Sequence, residues 1–233
     1  MASLIIALDR PDAASAIDLV DRLGEHADFY KVGAELFTAA GPSVVASLRE
    51  RGKRVFLDLK YHDIPNTVAS AVRSAAALGV DLLTVHASGG ESMLRAAAEA
   101  AAPSRTTVVA VTLLTSLSPD EVSRAWGKAV DSLRGDVERL ADLAVECGLG
   151  GVVASPLEVG AIKRRHGTRC VVVTPGVRPA GAARDDQTRT ATAGDAARAG
   201  ADYLVVGRPV HAAADPVAAM RSLRGELAES GAS

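Results

Sequence analysis

Eight short apolar runs rich in β-branched residues recur along the chain, and their number and spacing constrain the fold more than any other feature of the sequence. They are Leu4 to Leu8, Phe29 to Val32, Val55 to Leu59, Leu82 to Val85, Thr107 to Val111, Gly151 to Ala154, Cys170 to Thr174 and Tyr203 to Val206. Runs of this length and composition read as strands. Between them lie Ala-rich amphipathic stretches, among them Ala13 to Leu23, Pro42 to Arg51, Thr67 to Leu78, Glu91 to Ala101 and Leu133 to Cys147. These are long enough to be crossover helices. Eight strand and helix units within 233 residues predict an α/β fold, a single domain over residues 1–233 closed as a (β/α)8 TIM barrel.

The strands start at intervals of about 25 residues until two longer ones intervene. One follows the fifth strand and holds Thr115 to Lys128; the other follows the seventh and holds Arg178 to Thr192. In a barrel of this kind the loops after the strands carry the active face, so the extra chain is expected there.

Composition narrows the class of function. Lys and Arg number 26 against 28 Asp and Glu, a formal net charge of -2, and aromatics make up 3%. A chain with neither a one-signed field nor stacking platforms is not expected to bind nucleic acid. The two cysteines, Cys147 and Cys170, lack metal-ligand spacing and read as small buried hydrophobes in a reducing compartment. The N-terminus has no basic segment, and Leu4 to Leu8 is too short for a signal peptide or a membrane span, so a cytoplasmic protein is expected. Only five of the 26 basic residues are lysines, at 31, 53, 60, 128 and 163.

Two of those lysines fall at strand ends among carboxylates. The third strand ends Asp58-Leu59-Lys60 and runs into Tyr61-His62-Asp63-Ile64-Pro65-Asn66-Thr67. With a side-chain period of 2, Asp58 and Lys60 share the face opposite Leu57 and Leu59. The leucines suit the helix layer, which turns Asp58 and Lys60 into the barrel at its C-terminal end. The first strand ends in Asp9 and the second carries Lys31 before Val32-Gly33. A single Asp-x-Lys pair is ordinarily a solvated strand end; three adjacent strands doing the same point to function. Desolvating such charges costs several kcal/mol per ion, and apolar residues of like volume serve stability as well or better. Asp63 would add a fifth charge from the loop, although a loop Asp is also a common turn residue. Asp9, Asp58, His62 and Asp63 also offer donors to a metal, but two ammonium groups among them already neutralise the carboxylates and repel a divalent cation, so no metal is expected.

The ends of the last two strands carry phosphate-binding features. Gly207-Arg208-Pro209 follows the eighth strand, Pro175-Gly176-Val177-Arg178 follows the seventh, and Gln187 lies in the long segment between. Loops after strands seven and eight form such sites in barrels. Each piece is weak alone; together they favour a phosphorylated ligand. Thr115 and Ser116 offer hydroxyls suited to a sugar or ring amide, or to a turn. His86 reads as a core histidine, and His26, His166 and His211 as surface residues.

With these residues in view, the sequence closely resembles the orotidine 5'-phosphate decarboxylase family in its bacterial form. The likeness runs from Ala7-Leu8-Asp9 to Gly207-Arg208-Pro209, and its most specific part is Asp58 to Thr67, supported by Tyr30-Lys31-Val32-Gly33, Val111 to Ser116, Pro175 to Pro179 and Asp186-Gln187. The resemblance implies cofactor-free conversion of orotidine 5'-phosphate to UMP and CO2 in pyrimidine biosynthesis. It implies Lys60 as proton donor to C6 of the pyrimidine, with Asp58, Lys31 and Asp63 completing an alternating charge network. Asp63 and Thr67 would come from the partner subunit of a homodimer with shared active sites. Asp9 and Lys31 would contact the ribose hydroxyls, and Thr115 and Ser116 the ribose or pyrimidine. Arg178, Gln187, Gly207 and Arg208 would grip the phosphate, Gln187 bridging towards the ring as the loop closes. The main rival is a magnesium-dependent keto-sugar-phosphate decarboxylase or hexulose-phosphate synthase on the same barrel, in which an acidic metal ligand stands where this chain has Lys31. A catalytically silent nucleotide-phosphate-binding barrel is the second, and would be expected to have lost some of the charged residues.

Overall fold

The computed structural model describes residues 2–130, 132–177 and 191–231. Within them the chain alternates as expected. The first half runs β1 (Ser3–Ala7), α1 (Ala13–Leu23), β2 (Phe29–Gly33), α2 (Ala34–Ala40), α3 (Ser43–Glu50), β3 (Arg54–Tyr61), α4 (Pro65–Ala77), β4 (Leu82–His86) and α5 (Glu91–Ala101). The second half runs β5 (Thr107–Val111), α6 (Pro119–Trp126), α7 (Leu133–Glu146), β6 (Gly151–Val153), α8 (Pro156–His166), β7 (Val171–Thr174), α9 (Ala193–Arg198), β8 (Tyr203–Val206), α10 (Arg208–His211) and α11 (Pro216–Glu229). All eight strands pair in parallel and in sequence order, and β1 pairs with β8 to close the barrel. No helix among the described residues is long and apolar enough to cross a membrane.

Strand alternation divides the core in two. Ile5, Ala7, Phe29, Phe56, Leu82, Val109, Val173 and Val205 make a compact cluster inside the barrel. Their neighbours Ile6, Tyr30, Leu57, Leu83, Ala110, Val172 and Leu204 join the larger cluster between barrel and helices. Arg54 closes the N-terminal end: its guanidinium lies 4.0 Å from the Phe29 ring centroid and pairs with Asp81 at 3.5 Å. Above the filled interior a cavity opens at the C-terminal end, the usual place for chemistry in this architecture.

Helix starts are capped by the residues the sequence supplies there. Asp12, Ser118, Ser132, Ser155, Thr192 and Asp215 each accept a hydrogen bond from a first-turn amide, each satisfying a donor that the helix leaves orphaned. Cys147 and Cys170 are free and buried, as expected of small hydrophobes. The histidines need correction. His166, expected at the surface, has a buried ring bonded to Asp142 Oδ1 at 2.8 Å, because the end of α8 packs against α7. His26 and His211 are half-buried.

Gly151 is more than a turn residue. A Cβ built there would lie 2.0 Å from the Val171 carbonyl oxygen, so β6 and β7 approach too closely for any side chain. Gly151→Ala is expected to lower unfolding free energy by at least about 2 kcal/mol, the overpacking range, measured by chemical denaturation. An unchanged midpoint would show that the strands are not so tightly apposed.

Candidate active site

At the open end a cavity of about 310 Å³ is floored by apolar side chains of the inner cluster, including Ala7, Phe56 and Val205, with Val111 and Val153 beside them. Asp9, Lys31, Asp58 and Lys60 line it from the first three strands. Leu113, Leu114, Thr115 and Ser116 line it from the segment after β5, and Pro175, Gly176, Gly207 and Arg208 from the ends of β7 and β8. The volume suits a small ligand rather than a polymer.

The four charges form a chain of alternating sign. Lys31 Nζ lies 3.0 Å from Asp9 Oδ1 and 3.8 Å from Asp58 Oδ2, and Lys60 Nζ lies 2.9 Å from the same Asp58 oxygen. Asp58 and Lys31 are nearly buried, their side chains 12% and 13% exposed, while Lys60 and Asp9, at 36% and 48%, face the opening. Gly33 makes room for this arrangement: it pairs with Asp58 across the sheet, and a Cβ there would come within 3.0 Å of Lys31 Nζ.

Period-2 reasoning places Asp58 and Lys60 on one face, and both do line the cavity, but the backbone between them is not a regular strand. Lys60 has φ 52°, the one positive value at a non-glycine among the described residues. The pairing of β3 with β4 slips at the same place, since Leu57 pairs with Leu83 and Tyr61 with Val85. Asp58, Leu59 and Lys60 therefore stand opposite Thr84 alone. No charge or motif in the sequence singles out Thr84, but the alternation along β4 turns it inward beside Asp58.

Other expected residues fall less centrally. Asp63 and Thr67 are exposed and outside the cavity of their own chain, and Asp63 Oδ1 accepts a hydrogen bond from the Ile64 amide, as a turn residue does. His62 packs on His86 with ring centroids 5.5 Å apart. Burial chiefly, with the neighbouring His62 and Lys60, lowers the His86 pKa. Thus His62 and Asp63 do not converge with Asp9 and Asp58 as metal ligands, and among the described residues no group of three His, Cys, Asp or Glu is placed to hold a metal ion. Arg178 and Gln187 lie outside the described residues. The end of β1 is tied to the chain beyond β8 by Arg10, whose guanidinium donates to the His211 carbonyl at 2.6 Å, which sets the segment carrying Gly207 and Arg208 beside Asp9.

Residues 2–223 match the family model described as Orotidine 5'-phosphate decarboxylase / HUMPS family. The orotidine 5'-phosphate decarboxylase of Moorella thermoacetica is 53% identical over 231 residues, covering 96% of this chain and 91% of that one. Its counterpart from Halorhodospira halophila is 53% identical over 233 residues, covering 98% and 97%. Among solved structures, orotidine 5'-phosphate decarboxylase from Lactobacillus acidophilus superposes with a TM-score of 0.86 at 37% identity, covering 97% of this chain and 99% of that one.

The left-handed backbone at Lys60 has a measurable consequence. In a regular strand, glycine is less stable than alanine by roughly 0.5–1 kcal/mol. At a left-handed position the order reverses, because a Cβ costs about 1–2 kcal/mol there. Lys60→Gly is therefore expected to unfold at the same temperature as Lys60→Ala or higher. A clearly lower melting temperature for the glycine variant would contradict the strained geometry.

Proposed function

The chain belongs to the Orotidine 5'-phosphate decarboxylase / HUMPS family, and we propose that it is the carboxy-lyase that converts orotidine 5'-phosphate to UMP and CO2 without a cofactor, with Lys60 as the proton donor. The observation that carries this reading is an ammonium group fixed 2.9 Å from Asp58 at the mouth of an apolar-floored cavity.

Breaking the bond from C6 to the carboxylate releases CO2 and leaves the electron pair in an orbital in the plane of the ring, where the ring carbonyls cannot accept it by conjugation. Stabilisation then falls to electrostatics. A Lys60 ammonium already oriented by Asp58 favours the developing carbanion without reorganisation. It then gives its proton to C6 to form UMP, and the resulting amine recovers a proton from water. Asp58 beside the substrate carboxylate also disfavours the bound ground state. The alternating partners have a second role, since Lys31 neutralises Asp58 from the other side at 3.8 Å and reaches Asp9. Asp9 and Lys31 take the ribose hydroxyls in this reading, and Thr115 and Ser116 the ribose or the ring.

Arg208 and Gly207, with Arg178 and Gln187 beyond the described residues, hold the phosphate. That grip supplies binding energy far from the reacting carbon, which closure of the site expresses at the transition state. The magnesium-dependent relatives are the less favoured reading, because the Lys31 ammonium sits between Asp9 and Asp58 where it opposes a divalent cation. The two free cysteines support a reducing, cytoplasmic setting.

The active unit in this reading is a homodimer in which Asp63 and Thr67 complete the partner's site. Support comes from their position off their own chain's cavity and from Ile64 between them, an apolar side chain left 66% exposed. Taking such an exposed apolar side chain out of water at an interface favours association.

EDTA-treated wild-type protein is expected to turn over orotidine 5'-phosphate, and Lys60→Ala to lose about 10³-fold or more in kcat with its circular dichroism unchanged. Inactivity of the metal-free wild type would overturn the cofactor-free reading. Lys60→Ala and Asp63→Ala chains, each inactive alone, are expected to recover about a quarter of wild-type activity on mixing, since half of random dimers carry one intact site. Absence of recovery despite subunit exchange would contradict shared sites.

A further inference from the structure

We propose that Thr84 is a positioning residue for Lys60, a role that rests on the proposed decarboxylase reading but has its own structural readout. Thr84 is fully buried on β4 and is not among the residues that line the cavity, so it touches the chemistry only through its two partners. Its hydroxyl donates to Asp58 Oδ1 at 3.0 Å and accepts from the Lys60 backbone amide at 2.8 Å. A hydroxyl has one proton to give. With the Lys60 amide pointing at its oxygen, that proton is committed to Asp58, and the carboxylate is held with Oδ1 toward Thr84 and Oδ2 toward the two ammonium groups.

The register explains why one residue controls both. Between the Leu57 and Leu83 pair and the Tyr61 and Val85 pair, β3 contributes Asp58, Leu59 and Lys60 while β4 contributes Thr84 alone. The bulge leaves Lys60 at φ 52°, a conformation that an L-residue holds only when its surroundings impose it. Bulges re-aim side chains beside active sites, and here the Thr84 hydroxyl fastens the two ends of the bulge to each other. Valine has the same shape and neither donor nor acceptor, so it leaves both the amide and Oδ1 without that partner.

Three measurements test this: kcat and KM for orotidine 5'-phosphate, hydrogen exchange at the Lys60 amide by NMR, and circular dichroism, for Thr84→Val and Thr84→Ser. Thr84→Val is expected to fold, to exchange the Lys60 amide at least about tenfold faster, and to lose about tenfold to a hundredfold in kcat with KM within about threefold. Thr84→Ser keeps the hydroxyl and is expected to restore kcat and exchange to within about threefold of wild type. Wild-type kcat in Thr84→Val, or equal losses in the Val and Ser variants, would overturn the proposal. If Thr84→Val does not fold, Thr84→Ala replaces it with the same expectations. Should the wild-type protein fail to turn over orotidine 5'-phosphate, the functional reading fails, and exchange at Lys60 alone decides for Thr84: acceleration in the Val variant upholds it and no change overturns it.

Discussion

The carboxylate of Asp58 is the interaction on which the site depends. One of its oxygens faces both ammonium groups, Lys60 at 2.9 Å and Lys31 at 3.8 Å, and the other receives the Thr84 hydroxyl. Without that negative charge, two like charges would face one another over an apolar floor. With it, β1, β2, β3 and β4 are joined through polar side chains at the open end, while the inner cluster joins the same strands below. The direction of the Lys60 ammonium, and hence any use the cavity makes of it, follows from what holds Asp58.

Such an arrangement is not an economical way to build a barrel. Apolar residues of similar volume would be neutral or stabilising in place of the buried ion pairs, and a lysine at φ 52° stores strain that glycine would relieve. The rest of the fold absorbs this. The interior is filled from the Arg54, Phe29 and Tyr203 contacts at the closed end up to Phe56 and Val205 beneath the charges. Charges fixed in advance above an apolar floor are worth more to a developing anion than mobile charges in water, because no reorganisation accompanies the reaction.

Much of this was legible in the sequence because two periodicities are strict. Apolar runs spaced by amphipathic segments define the eight units, and the alternation along β1, β2 and β3 brings Asp9, Lys31 and Asp58 to one side. Features set by backbone geometry were not legible. The three-residue bulge opposite Thr84 obeys no side-chain period, and the room that Gly33 leaves for Lys31 is visible only once β2 and β3 are in register. His166 shows the same limit from another direction, since its burial comes from α7 packing on α8 rather than from any pattern near residue 166. Asp63 and Thr67 belong to a site that one chain does not complete in the proposed dimer, so neither the sequence nor the single chain can bring them to Lys60.

The proposed chemistry requires a fixed Lys60 ammonium to stabilise negative charge at C6. The most direct measurement compares the affinity of wild-type and Lys60→Ala protein for two nucleotides, UMP and a UMP analogue bearing an anionic oxygen on C6. The phosphate and ribose contacts are common to both ligands, so the two differ only in the anionic oxygen at C6. The wild type is expected to bind the anionic analogue at least about a hundredfold more tightly than UMP, and Lys60→Ala to lose most of this preference while keeping UMP affinity within about threefold. Equal weakening of both ligands, or a preference that survives in Lys60→Ala, would contradict that requirement.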